Sequence, residues 1–126
     1  MKKTMIGLTL LVLALMSACT RQVGWVGMNY GNVYNASYIL FDGKQTETLN
    51  LKAGETLNLA YHVSIDSGAL TFQLIDPDRR IEWEASFRDN IKDFLSYPVD
   101  SSGRYTLRLI GDETSGKIDL RWEIEN

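Results

Sequence analysis

The chain has 126 residues, a formal net charge of −3 from 13 Lys and Arg against 16 Asp and Glu, one histidine and one cysteine. A single cysteine excludes an internal disulfide. Basic residues scattered among a larger number of acidic ones exclude the clustered positive footprint that nucleic acid requires, so no nucleic-acid partner is expected.

The chain opens Met1-Lys2-Lys3 and continues with "MIGLTLLVLAL", an uncharged run from Met5 to Leu15. Basic residues, a short apolar stretch and small residues after it have the form of an export signal. The run is too short to cross a bilayer, which takes about 20 apolar residues. Small Ser17 and Ala18 precede Cys19, and "LALMSACT" resembles the bacterial lipobox, with Met16 where leucine is usual. That resemblance implies cleavage after residue 18 and acylation of Cys19, the palmitate-type anchor of a lipoprotein. An ordinary secretory signal ending near Ala18 is the alternative, and it would leave a free thiol in an oxidising compartment, a liability that acylation removes. Several acyl chains on one cysteine also meet the requirement for more than one lipid signal in stable anchoring. Loss of Lys2 and Lys3 leaves 11 basic against 16 acidic residues, a net charge of −5 over 108 residues. That length suits one domain with a modest core. The expected division is 1–18 signal peptide, 19–35 tether and 36–126 domain.

In the tether, "TRQVGWVGMNYGNVYN" (20–35), glycines and asparagines break any period while Trp25, Tyr30 and Tyr34 add aromatic mass. From Ala36 the pattern is alternation. "SYILFD" and "TETLNL" flank an expected Gly43-Lys44 turn, and "AGE" (53–55) marks another. "TLNLAYHVSI" places Leu57, Leu59, Tyr61, Val63 and Ile65 on one face, the signature of a half-buried strand. Asp66-Ser67-Gly68 reads as a turn into "ALTFQLI", with Leu70, Phe72 and Leu74 inward. "DPDR" (76–79) is a proline turn with Asp at its first position, and "RIEWEASF" follows with Ile81, Trp83, Ala85 and Phe87 inward. "RDNIKDFLSYPV" reads as an irregular turn leading to an edge strand, because Pro98 cannot donate to a ladder.

"GRYTLRLI" and "GKIDLRWEI" flank "GDETSG" and read as a closing hairpin. Cross-strand charge complementarity selects the register Leu107 opposite Leu120, with Arg108 meeting Asp119 and Arg104 meeting Glu123. The same logic pairs Leu74 with Ile81 and Phe72 with Trp83. About eight short strands without a confident helix predict an all-β protein, a single antiparallel β-sandwich.

The segments "ETLNLAYHVSIDSGALTFQLIDPDRRIEWEASF" and "SSGRYTLRLIG" resemble the small bacterial surface lipoproteins that carry a GOLD-like or jelly-roll sandwich. In that pattern a "GxLxxxLxDPDG" hairpin precedes an aromatic strand, and "GxYxLxL" follows. The resemblance spans 36–124, with Arg79-Arg80 in place of the usual Gly-Lys. Similar "GxYTLxL" strands occur in secreted carbohydrate-binding and protease-associated modules. The resemblance implies a fold and a location, and no catalytic residues.

No catalytic constellation stands beside His62, whose neighbours Tyr61 and Val63 point inward, so it reads as a surface histidine. Asp76, Asp78, Asp112 and Glu113 are turn formers rather than calcium ligands, and no metal or cofactor is expected. Trp83 and Trp122 fall in the apolar phase and belong to the core. Arg104, Arg108, Asp119, Arg121 and Glu123 read as a solvated charge ladder. Trp25, Tyr30 and Tyr34 lie outside the strands and are the candidates for ligand contact, with folding back to cover a sheet edge as the equal alternative. The expected function is that of an exported, lipid-anchored, non-enzymatic protein of the cell envelope, facing away from the cytoplasm. It would bind or assemble with a protein or envelope partner. The alternative is a carbohydrate-binding module for cell-wall glycan, using an exposed aromatic among Trp25, Tyr30, Tyr34 and Tyr97.

Overall fold

The computed structural model describes residues 20–126, so the segment 1–18 read as a signal peptide and Cys19 lie outside the described residues. Seven strands follow in chain order: β1 (Arg21–Val23), β2 (Val26–Tyr30), β3 (Val33–Leu51), β4 (Thr56–Ile75), β5 (Ile81–Phe87), β6 (Ile91–Pro98) and β7 (Gly103–Glu125). All pairings are antiparallel, in the order β1-β3-β7-β4-β5, with β2 also on β3 and β6 also on β4. The three long strands each serve both layers of a sandwich. In the first layer β2, 33–38 of β3, 116–121 of β7, 56–65 of β4 and β6 lie side by side. In the second, 43–51 of β3, 103–111 of β7, 69–75 of β4 and β5 do so.

Between the layers the strands are creased. Register shifts interrupt β3 between Tyr38 and Gly43 and β4 between Ile65 and Ala69, at the level of Gly111–Gly116 on β7. Gly111 lies between Gly43 and Leu70, and Gly116 between Tyr38 and Ile65. At this crease the backbones approach too closely for a side chain. A Cβ at Gly111 would sit 2.6 Å from the Phe41 carbonyl oxygen, and one at Gly116 would collide with the Ser64 carbonyl oxygen at a φ of 151°.

Alternation then fills the interior. Leu57, Leu59, Val63, Ile118 and Leu120 of the first layer meet Leu70, Phe72, Leu74, Leu107 and Leu109 of the second, each of them buried. Burying each such side chain contributes roughly 1.5–3 kcal/mol. Tyr61 links Phe72, Trp83 and Phe87, with ring centroids 5.5–5.9 Å away. Trp122 is buried and Trp83 half-buried against this core, as the alternation predicts.

Three expected turns are bends instead. Gly43-Lys44, Asp66-Ser67-Gly68 and "GDETSG" stay inside β3, β4 and β7. The closing hairpin is therefore one strand: Arg108 lies between Thr46 and Gln73, Asp119 between Asn35 and His62, and Leu107 does not meet Leu120. A glycine-rich polar run marks where a strand departs from straight, and the neighbouring strands decide whether it reverses or folds over. In place of the charge pair expected for the hairpin, Arg108 Nε donates to the neutral Gln73 Oε1 on β4 at 2.8 Å, and Gln73 Nε2 donates to Glu84 on β5.

The 76–79 turn forms as read, with Asp76 Oδ1 accepting from the backbone N–H groups of Asp78 and Arg80 at 2.9 and 2.8 Å. Arg79, where the resembled pattern has glycine, adopts a left-handed φ of 67°. A bulge between Leu74 and Ile75 shifts the hairpin, so Leu74 pairs with Trp83 and Phe72 with Ala85, and Ile81 is exposed rather than inward. β6 is an edge strand ending at Pro98, as expected, but begins earlier, at Ile91.

The stretch read as a tether is paired from its third residue onwards. β1 lies on 40–42 and β2 on 33–37 of β3. Thr20 Oγ1 accepts from Lys44 N–H at 3.2 Å, and Arg21 pairs with Asp42 at 2.7 Å, holding that carboxyl below its usual range. Asn29 Nδ2 donates to Glu47 Oε2 at 2.8 Å across the open side of the sandwich.

If the crease holds the layers together, Gly116→Ala lowers stability by about 3 kcal/mol in urea unfolding. Gly31→Ala, at a left-handed turn where a Cβ meets nothing within 4 Å, costs only the conformational strain of about 1 kcal/mol.

Candidate functional site

The side chains out of phase with the core form the outer face of the first layer, and the register sets them in rows. One row runs Met28, Asn35, Asp119, His62, Lys92 from β2 to β6. The next contains Val33, Arg121, Ala60 and Phe94. Ala60 carries only a methyl group between two long neighbours, so the surface dips there. The result is a depression of about 490 Å³ lined chiefly by Ala60, His62, Lys92, Phe94, Asp119 and Arg121. A second hollow of about 460 Å³ adjoins it and shares His62 and Asp119.

Phe94 is 60 % exposed on the depression's β6 side. Its ring stands among groups of both signs: Lys92, Asp93, Asp119 and Arg121. Arg121 Nε lies 3.4 Å from Asp119 Oδ1. The Asn35 amide, in the orientation that satisfies both its ends, donates to the same oxygen at 2.9 Å. The exposed Arg121–Asp119 pair contributes little to stability, and both partners keep hydrogen-bonding capacity for a ligand. Beneath them the Tyr61 ring is buried, and desolvation, then Asp93, pushes its phenol upward. An aromatic face flanked by mixed donors and acceptors in an open dip suits a neutral polyhydroxylated or amphipathic ligand.

The aromatics expected to make ligand contact are placed differently. Tyr34 is 6 % exposed, an inward residue of β3 and part of the core. Trp25 is half-buried, stacked on Tyr38 at 5.4 Å and edge-on to Phe41 at 5.3 Å, where it caps the core. Tyr30 pairs with Val33, and its side chain lies outside what is described. Tyr97 turns inward against Tyr105 at 6.1 Å. For Tyr34 and Trp25 the physical reason is shared: β3 begins at Val33 and the N-terminal strands dock on it, so their inward positions close the core, whereas Tyr97 is an inward position of β6, opposite Leu57. His62 faces outward as expected, and the structure adds what sequence reasoning missed, a depression beside it. Phe94 was legible as the residue out of phase with Ile91, Leu95 and Tyr97. Asp119 and Arg121, read as part of a solvated ladder, line the dip, whereas Arg108 lies in the other layer.

Asp76 commits Oδ1 to its turn, and the Arg80 N–H foremost holds its carboxyl below the usual range. Among the described residues no group of three or more His, Cys, Asp or Glu side chains converges.

No protein-family model matches the chain, and no curated protein is significantly similar to it in sequence. Solved structures share its fold. A CBM4 structure aligns with a TM-score of 0.56 at 10 % identity, over 84 % of this chain and 77 % of that one. The pre-peptidase C-terminal domain of collagenase from Bacillus anthracis aligns at 0.54 and 17 % identity, over 78 % and 91 %. The C-terminal CBM6 of LamC, a laminarinase from Zobellia galactanivorans, aligns at 0.51 and 17 %, over 86 % and 91 %. The shared feature is the antiparallel β-sandwich.

Burial should be visible in titration. Desolvation foremost pushes the phenols of Tyr34, Tyr38 and Tyr97 up to about 12. These rings are neutral in the fold while their unfolded counterparts ionise near 10. Stability from them is complete below pH 10 and lost as pH rises toward 12. Tyrosinate absorbance is expected to show a delayed phase that merges with the first in denaturant.

Proposed function

We propose that this protein is an exported, lipid-anchored component of the cell envelope whose β-sandwich binds glycan, without catalysis, at the Phe94 depression. The observation that carries the binding reading is a large exposed ring set among charged hydrogen-bonding groups on an otherwise regular sheet face. A pyranose presents an apolar C–H face that packs on an aromatic ring and a rim of hydroxyls that both donate and accept. Phe94 matches the first. Asp93 and Asp119 accept, while Lys92 and Arg121 donate. His62 stands at the edge and serves as either.

The sandwiches of carbohydrate-binding modules, CBM4 and CBM6 among the neighbours, support the glycan reading over an unspecified protein partner. Another neighbour, TmCBM61, aligns with a TM-score of 0.50 and is described in complex with β-1,4-galactotriose. Export and acylation rest on the first 19 residues: a charged start, an apolar run and Cys19 behind small residues.

Heteronuclear NMR titration with β-1,4-galactotriose, cellotriose and peptidoglycan glycan strands is expected to shift the amides of 60–62, 92–94 and 119–121 with at least one probe. Phe94→Ala should weaken that binding about tenfold, ~1.4 kcal/mol, without changing the thermal midpoint. Shifts absent from this face with every probe would remove the glycan reading. The anchor is checked separately: metabolic labelling with a radioactive fatty acid should mark the wild type and leave Cys19→Ala unlabelled.

A further inference from the structure

Seven large apolar side chains are prominently exposed among the described residues, and four fall within a 17-residue stretch: Val23 at 50 %, Val26 at 71 %, Met28 at 63 % and Ile39 at 68 %. They share one corner. Val23 pairs with Leu40, next to Ile39, and Ile39 covers Gly24, where a Cβ would lie 2.7 Å from its Cδ1. Val26 pairs with Ser37 and Met28 with Asn35, on the outer side of the β2 edge. Contiguous exposed apolar surface of this kind marks a protein or membrane contact.

The chain itself indicates which. Cys19 immediately precedes Thr20, whose hydroxyl is bonded to Lys44, and Arg21, which is paired with Asp42. One residue spans at most about 3.6 Å, so acyl chains on Cys19 would leave the domain no slack to stand away from the lipid. The charges nearby are mixed. Arg21 is paired with Asp42 and lies 3.6 Å from Glu113, and Asp66 lines the same hollow as Lys117, so attraction to anionic headgroups is not what the corner offers.

We propose that the domain rests on the bilayer through the Val23–Val26–Met28–Ile39 corner, with its β2 edge down. The inference rests on acylation of Cys19. It also orients the site: strands are spaced about 4.8 Å apart, so from β2 the depression on β7, β4 and β6 stands about 10–19 Å above the lipid and opens sideways. The apolar corner enters the headgroup boundary, and the face stays in water.

The test uses the acylated protein in phosphatidylcholine vesicles that contain acyl-chain-brominated lipid, its acylation established by intact mass. A dye is attached at Met28→Cys on β2 or at Ser86→Cys on β5. The Cys19 sulfur, blocked by its lipid, does not react. The dye at 28 is expected to be quenched at least about twofold more than the dye at 86, independently of salt. Val26→Asp with Ile39→Asp should abolish the difference while the protein stays on the vesicles. Equal quenching at the two positions in acylated protein overturns the orientation and leaves the anchor intact. Dye–dye self-quenching at 28 that grows with surface density would assign the corner to a second copy instead. A mass without acyl groups overturns the anchor and this inference together.

Discussion

The crease across β3, β7 and β4 is the constraint on which the rest of the molecule depends. In a sandwich whose layers are joined only by loops, core packing alone sets how one layer sits on the other. Here three strands of 19, 20 and 23 residues run through both layers, so the register on one side sets the register on the other. The contact at Gly116 is backbone against backbone, and at Gly111 both the carbonyl oxygen and the ring of Phe41 crowd in, which is why a side chain is excluded at either position. Bulges on β3 and β4 supply the extra twist that such a fold-over needs.

That shared register assembles the surface site. Residues 60–62, 92–94 and 119–121 are far apart in the chain and adjacent because β4 lies between β6 and β7 at that level. The aromatic side chains divide accordingly. Tyr34, Tyr38, Tyr61, Phe72 and Trp122 close the interior, where their area is worth most. Phe94 alone among the phenylalanines stands prominently in water, beside an alanine that leaves room for a ligand to approach its face. The apolar corner lies on the opposite edge of the same layer, so the proposed binding and anchoring surfaces fall at different ends of one sheet.

Much of this was legible from residue order. Alternation in 56–65 and 70–74 identified the inward residues because a pleated strand puts every second side chain on one side. The same rule put Trp83 and Trp122 in the core and turned His62 outward. The 76–79 turn was readable because its hydrogen bonds are local, within four residues of Asp76.

What order along the chain left undecided was every choice of partner. "GDETSG" has the composition of a turn, and only the presence of β3 and β4 on either side of β7 keeps it straight enough to be one strand. Tyr34 and Trp25 lie in a glycine-broken stretch that suits an exposed contact and a fold back over a sheet edge equally, and the docking of that stretch on β3 makes their positions interior. Arg108 and Asp119 were indistinguishable members of one ladder until the crease sent them to different layers. Local chemistry thus determined which side chains face in, since that depends on the pleat alone. The tertiary structure decided which outward side chains become neighbours, since that depends on strands distant in sequence arriving side by side.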